Sequence, residues 1–336
     1  MSRYAKQVLF KPLGAAGQEK LSTSRVAVIG LGALGSVIAN HLARAGVGFL
    51  RLVDRDFVEL DNLQRQVLYD EDDVKAALPK AVAASRRLSK INSEIRLDAR
   101  VVDVSHATVE GLIQDVDLVV DGLDNFETRF VLNDACVKRG KPWVYGGCVG
   151  SYGMVMTVLP GEGPCFACLV GEKPAPGSSP TCDTAGVLNT AVATVASLQA
   201  TEAIKILVGR RDALSGGLQT LDVWTNQWQT VKVPRSTSCA CCGKREFRHL
   251  AASPSGTAVL CGRNAVQITP ASPVLLDLAE TERRLSTLTK VRRNEYLLKA
   301  SIDGCELTLF PDARAIIQGT DDPARARTLY ARYVGA

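Results

Sequence analysis

Short apolar runs alternate with amphipathic stretches over the first 160 residues. "VAVI", residues 26 to 29, is a continuous apolar run of strand length. Gly30, Gly32 and Gly35 follow it and lead into a helical pattern that runs to about Ala45. "FLRLVDRD" predicts a second strand ending at Asp54, residues 74 to 90 a helix, "IRLDARVVD" a third strand and "TVEGLIQD" a short helix. "VDLVVDGLDN" predicts a strand with acids at its carboxyl end, followed by the helix "FETRFVLNDACVKRG" and further strand material in "PWVYGGCVGSYGMVMTVLP". This alternation predicts an α/β fold, a Rossmann-like parallel sheet with helices on both faces.

The texture changes at Pro160. Residues 160 to 186 are rich in Pro, Gly and Ser and predict a long loop. A long alanine-rich helix without internal Gly or Pro follows in "VLNTAVATVASLQATEAIKILVG", then a hairpin in "LQTLDVWTNQWQTVKV". We expect a main domain over 1–248, a linker over 249–258 around "HLAASPSGTA", and a small C-terminal α/β domain over 259–336.

Composition changes this picture little: the 336 residues are 46% hydrophobic and 22% charged, ordinary for a globular chain. A net charge of +5 with scattered basic residues argues against nucleic acid as a direct partner. No apolar run is long enough to span a membrane and "MSRYAKQVLF" is no secretory signal, so the expected location is cytoplasmic. Ten cysteines need another explanation there than disulfides.

The glycines carry the first chemical signal. Gly30-x-Gly32-x-x-Gly35 lies between a strand and a helix, where unpaired backbone N–H groups and the helix dipole favour phosphate. Asp54, 24 positions after Gly30, ends the second strand, where a carboxylate takes ribose hydroxyls. These features fit an NAD(P)-dependent oxidoreductase as well as an ATP enzyme. The stretch "NLQRQVL", residues 62 to 68, tilts the choice. Asn62, Arg65 and Gln66 fall within reach of the phosphate end, and Lys80 adds a second cation. Asp124 is placed to hold Mg²⁺ beside those phosphates. So much charge suits a triphosphate better than a dinucleotide.

The ordered set "RYAKQ", "GLGALG", "VDRDFVELDNLQRQVL", "PK", "DGLDN" and two CxxC pairs resembles the ThiF/MoeB/HesA family of adenylyltransferases, relatives of the ubiquitin-activating enzymes, over residues 3 to 245. The resemblance implies an enzyme that uses ATP and Mg²⁺ to adenylylate the C-terminal glycine of a small ubiquitin-like sulfur carrier protein of ThiS or MoaD type, ending in Gly-Gly. Products of such activation serve sulfur transfer in thiamine, molybdopterin or related biosynthesis. It implies Asp54 on the ribose, Asn62, Arg65 and Lys80 on the phosphates and Asp124 on magnesium. It also implies a homodimer in which an arginine of the N-terminal arm reaches the partner's triphosphate. Lys6 stands at that position here, with Arg3 nearby. A non-catalytic scaffold for a ubiquitin-like partner is the alternative from another class; the intact set of charged residues argues against it. The attacking carboxylate is already ionised near neutral pH, so the scarcity of histidine, three in all, is no obstacle.

Cys165/Cys168 and Cys239/Cys242 are two CxxC pairs suited to one structural Zn²⁺. Cys241 is a rival ligand, and the family pattern favours the outer two of "CACC". Cys136 and Cys148 read as core. Cys182 lies where thiamine-type relatives carry a sulfur-relay cysteine, and the resemblance extends that role to it. No rhodanese-like segment is visible, so a separate sulfurtransferase or cysteine desulfurase is the expected sulfur donor.

Overall fold

The computed structural model describes residues 3–174, 182–251, 256–260, 264–270 and 274–335. They fall into two compact units, the first holding 3–174 with 185–251 and the second 182–184 with 256–335.

The first unit opens with two helices that the apolar pattern did not reveal, α1 (Ala5–Val8) and α2 (Gly14–Thr23). Then come β1 (Arg25–Ile29), α3 (Ala33–Ala45), β2 (Phe49–Val53), α4 (Glu71–Lys75), α5 (Lys80–Ile91) and β3 (Arg96–Arg100). They are followed by α6 (Val109–Ile113), β4 (Leu118–Asp121), α7 (Phe126–Arg139), β5 (Trp143–Val149) and β6 (Tyr152–Val158). After α8 (Phe166–Val170), and α9 (Cys182–Ala185), whose first three residues belong to the second unit, α10 (Asn189–Leu207) is the long helix expected, and β7 (Leu218–Asp222) with β8 (Gln227–Val231) is the hairpin.

These strands form one sheet in the order β3-β2-β1-β4-β5-β6-β7-β8. Ala27 and Ile29 of β1 and Val119 of β4 pack with α6 and α7 in one apolar cluster. The alternate residues Val26, Val28 and Val120, all buried, turn by the two-residue period to the other face, where α3 contacts β1 and β4 and α10 contacts β4. Only part of the sheet is parallel. β3 through β5 pair in parallel, but β5–β6, β6–β7 and β7–β8 are antiparallel. The cause is local: Gly150, at φ +61°, reverses the chain after β5, so no crossover helix intervenes.

The single helix expected over 74–90 is two helices. Asp70 accepts from the N–H groups of Asp72 and Asp73 and starts α4 early. Ala77 takes a φ of +47°, and Pro79 forms a bridge to Phe57 before α5 begins at Lys80. The interruption puts Lys80 at the first turn of a helix.

In the second unit the strands are β9 (Thr257–Leu260), β10 (Ala265–Ile268), β11 (Val291–Arg293), β12 (Leu298–Ile302), β13 (Cys305–Leu309) and β14 (Ala315–Gln318), with helices α11 (Leu278–Leu285) and α12 (Pro323–Tyr333). The sheet is antiparallel, in the order β11-β12-β13-β14-β10-β9. Asp277 and Asp322 cap its two helices through their carboxylates. It buries its own core, including Val266, Leu298, Leu307, Ile317 and Leu329. Among the described residues no helix is long and apolar enough to cross a membrane.

A cleft at the strand-order reversal and a four-cysteine cluster

β1 is flanked by β2 on one side and β4 on the other, so the chain direction of the crossovers reverses there and leaves a crevice beyond the carboxyl ends of β1 and β4. Glycines line it for steric reasons. A Cβ at Gly35 would stand 1.8 Å from the Gly30 oxygen, and one at Gly30, where φ is +85°, would stand 2.6 Å from the Gly122 oxygen. These two seat α3 against β1 and β4. Gly32 differs: its φ is −71° and a Cβ there would meet nothing nearer than Gln66 Nε2 at 3.9 Å. Space beside Gly32 is therefore open, and the N–H groups of Gly32 through Gly35 donate to no acceptor among the described residues.

Asp54 faces this turn. Its Oδ2 accepts from the N–H of Leu31 at 2.7 Å and its Oδ1 from that of Asp56 at 2.7 Å. Burial pushes the Asp54 carboxyl up, and the Lys80 ammonium opposes that shift. Lys80 is buried, 3% exposed, with Nζ 3.9 Å from Asp56 Oδ2. Arg55 escaped the sequence reading, although the alternation D-R-D marks it. It bonds Asp103 at 3.0 Å, and the carboxylates of Asp56, Asp103, Asp124 and Asp54 raise its pKa against the effect of burial. Lys80 and Arg55 thus give the acidic crevice its positive charge.

The loop 59–69 forms the other wall. Asn62 is buried, and its carboxamide is used within the loop: Oδ1 accepts from the Glu59 N–H at 3.2 Å and Nδ2 donates to Asp61 at 2.9 Å. Arg65 is half-buried and donates to the Asp61 carbonyl at 2.7 Å, with no carboxylate partner among the described residues. Tyr69 is buried, and its O–H donates to the Leu31 carbonyl at 2.8 Å, fastening the loop to the glycine turn. Leu68 anchors the loop, whereas Val67, which the apolar pattern grouped with it, is 58% exposed.

The two acids of "DGLDN" part company. Asp121 is fully buried and paired with Arg129 at 2.9 Å. Arg129 also donates to the Leu123 and Gly146 carbonyls, and Gln199 of α10 donates to the Asp121 carbonyl at 2.7 Å. Asp124 is exposed at the crevice and accepts from Asn125 Nδ2 at 3.1 Å. It belongs to no cluster of three or more ligands among the described residues; a site for Mg²⁺ there needs oxygens from phosphate and water, as Mg²⁺ sites commonly have.

Lys6 is exposed on α1, and that arm packs far from its own crevice. Asn92 Nδ2, at the end of α5, donates to the hydroxyl of Tyr4 and the carbonyl of Ala43. Gln7 donates to the Ala45 carbonyl at the end of α3. The arm thus sits at the C-terminal ends of the two helices whose N-termini border the crevice, about 20 Å away for a 13-residue helix. Arg3 is occupied by Glu94 and the Ile91 carbonyl.

Cys165, Cys168, Cys239 and Cys242 bring their Sγ atoms within 4.8 Å of one another. Cys165 to Cys239 is 3.7 Å and Cys168 to Cys242 is 3.4 Å. Bonds of 2.3 Å to a tetrahedral Zn²⁺ require sulfur–sulfur edges of about 3.8 Å, so the four thiols are spaced to fit that ion, and of "CACC" it is the outer two that join the cluster. Cys241 instead accepts from Asn133 Nδ2 at 3.1 Å. Asn133 Oδ1 in turn accepts from the Phe166 N–H, bracing both cysteine loops on α7. Cys136 is core, with its thiol pushed up by burial, while Cys148 is only half-buried. Cys182 opens α9, but its side chain lies outside the described residues, as do Cys261 and residues 252–255 of the linker. The main domain's packing continues through His249, whose N–H donates to Asp134 and whose ring lies on Phe130, and through Leu250.

Residues 4–241 match the model of the ThiF family. The sulfur carrier protein ThiS adenylyltransferase of Bacillus subtilis is 44% identical over 337 residues, 99% of each chain. The ThiS adenylyltransferase of Escherichia coli is 37% identical over 242 residues, 72% of this chain and 94% of that one, and the SAMP-activating enzyme E1 of Haloferax volcanii is 39% identical over 73% and 89%. Among solved structures, E. coli MccB with ATP superposes at a TM-score of 0.63 with 25% identity, over 72% of this chain and 75% of that one. The Bacillus protein is alike through the C-terminal unit, and the shorter relatives are alike only over a length matching the first.

Proposed function

From the premise that this chain belongs to the ThiF family, we propose that it is an ATP-dependent adenylyltransferase acting on the C-terminal glycine of a ubiquitin-like sulfur carrier of ThiS type. Supporting this reading is open space at Gly32 bounded by N–H groups without an acceptor among the described residues, with Asp54 and buried Lys80 beside it. Asp54 takes the ribose hydroxyls on the lone pairs its backbone partners leave free. The α3 N-terminus receives the phosphates, while Arg65 and Lys80 oppose their charge and Asn62 contributes its remaining amide hydrogen. Asp124 holds Mg²⁺, which screens the triphosphate when bound.

The carrier's terminal carboxylate then attacks the α-phosphorus and pyrophosphate leaves with the bonding pair. No proton moves, so positioning and positive charge carry the rate. Zinc at the four cysteines is structural, since all four ligand positions are taken by protein. The position of Lys6, remote from its own crevice, supports a homodimer in which it serves the partner's site. The relay role of Cys182 rests on the family resemblance.

Carrier-dependent exchange of labelled pyrophosphate into ATP tests the assignment. ATP–Mg²⁺ binding without exchange, for every Gly-Gly-ended carrier of the source cell, refutes it. An NAD(P) oxidoreductase predicts instead a larger thermal shift with NAD than with ATP–Mg²⁺, and it leaves Lys80, Arg65 and the cysteine cluster without a task.

A further inference from the structure

One residue of the loop 59–69 has no part in the scheme above. Gln66 is 3% exposed, and the sequence places it within reach of the phosphate end. Its Oε1 is enclosed without a partner, and Nε2 donates to no acceptor among the described residues. The backbone on either side is fixed, because the Gln66 N–H donates to the Asn62 carbonyl at 2.9 Å and the Gln66 carbonyl accepts from Tyr69 at 3.3 Å. With Tyr69 tied to Leu31, the side chain is held in place. Nε2 stands 3.9 Å from where a Cβ on Gly32 would be. It therefore borders the open space that the unpaired amides of Gly32 to Gly35 border from the helix side.

Oε1 lacks a donor, which a phosphate oxygen cannot supply, whereas Nε2 is not enclosed and lacks only an acceptor. Here the missing partner has to fit beside a helix N-terminus and accept a hydrogen bond. Taking the nucleotide assignment above as given, the ribose on Asp54 places the α-phosphoryl group nearest Leu31 and Gly32. We propose that Gln66 donates from Nε2 to a non-bridging oxygen of that α-phosphoryl group, clamping it against the α3 N-terminus. The bond from carrier oxygen to α-phosphorus forms as the bond to the bridging oxygen breaks. Throughout, Gln66 fixes the group in line without adding charge or taking a proton. A neutral donor suits this place, because an acid there would repel the phosphate.

Gln66→Met keeps length and burial while removing both polar atoms; Gln66→Glu keeps shape and puts charge in place of the donor. In the full chain, we expect Gln66→Met to melt at or above the wild-type temperature without nucleotide. Its carrier-dependent exchange should fall about 100- to 1,000-fold, as expected for loss of one donor to a reacting oxygen. Gln66→Glu should bind ATP–Mg²⁺ more weakly than Gln66→Met in equilibrium dialysis. The proposal is overturned if Gln66→Met exchanges at the wild-type rate, or if its melting temperature and activity fall together, which marks a packing residue. Wild-type protein that binds ATP–Mg²⁺ but never exchanges defeats the assignment of the reaction. The dialysis comparison still decides whether Gln66 touches the nucleotide.

Discussion

Gly32→Ala separates the folding role of the glycine turn from its binding role. A methyl at Gly32 meets no atom nearer than 3.9 Å, but it sits on a backbone at φ −71° and ψ −143°, outside the regions an L-residue favours. Holding Ala in that conformation costs about 1–3 kcal/mol. The unliganded melting temperature should therefore fall by about 2–12 °C, and the binding role is read from the nucleotide-induced shift above each protein's own baseline. Phosphate oxygens must approach these amides to about 2.9 Å, and the methyl occupies that approach; a 100-fold loss of affinity is about 2.8 kcal/mol. At a nucleotide concentration of about 100 times the wild-type Kd, binding stabilises wild type by about 2.7 kcal/mol. The variant, now at about its own Kd, gains only about 0.4 kcal/mol. In a thermal-shift assay those energies read as about 5–11 °C against 1–2 °C. As a contrast, Gly35→Ala, whose Cβ would stand 1.8 Å from the Gly30 oxygen, should fail to fold stably. A full nucleotide shift in Gly32→Ala would show that phosphate does not lie against this turn.

Other expectations follow from the geometry. Purified protein should carry one zinc per chain, and its removal by a strong chelator, or Cys168→Ser, should lower the melting temperature by more than about 10 °C, since structural zinc contributes several kcal/mol; unchanged melting of metal-free protein would remove the structural role. Asp115 is held at about 2, chiefly by its hydrogen bond from Arg51, so the unfolded chain takes up its proton first as pH falls. Its stabilisation is full above about pH 4 and disappears as pH drops through 2. Solvent screening of a side chain 42% exposed leaves about 1 kcal/mol, and Asp115→Asn should lose that part of the acid slope in urea titrations. Lys6→Ala and Lys80→Ala, each inactive alone, should regain about a quarter of wild-type exchange when co-refolded, because half the dimers are mixed and each carries one complete site. No recovery on mixing places Lys6 in its own chain's site or outside catalysis.

Regular elements with one buried face were legible in the sequence, because β1, α3, β4, α7 and α10 advertise their period and their ends. The glycine turn was legible for the same reason, since a close approach admits no other residue. Elements defined by a single reversal were not. Gly150 turns the sheet antiparallel, and nothing in an apolar run distinguishes a hairpin from a crossover until the loop length is known. At the site, residue types indicated where charge gathers but not how each group spends its hydrogen bonds. Asn62 is tied into its loop and Gln66 is left unpaired, though both are amides in one seven-residue stretch. Arg55 was overlooked because its neighbour Asp54 ends the second strand and carried the ribose role alone.

The unequal fates of Asp121 and Asp124 affect how this protein's mutants should be read. Substituting either acid is expected to abolish activity, and a screen scored by turnover alone would rank them as equivalent. Yet Asp121 is the counter-ion of a guanidinium that also gathers the Leu123 and Gly146 carbonyls under the crevice. Its loss strands a buried cation and loosens the junction of β4, β5 and α7 before any substrate arrives. Loss of Asp124, exposed and hydrogen-bonded among the described residues to its neighbour Asn125, removes no buried ion pair and should leave the fold standing. Melting data therefore have to accompany every inactive variant in "DGLDN", and a suppressor search should find compensating apolar changes around Arg129 for the first acid and none for the second.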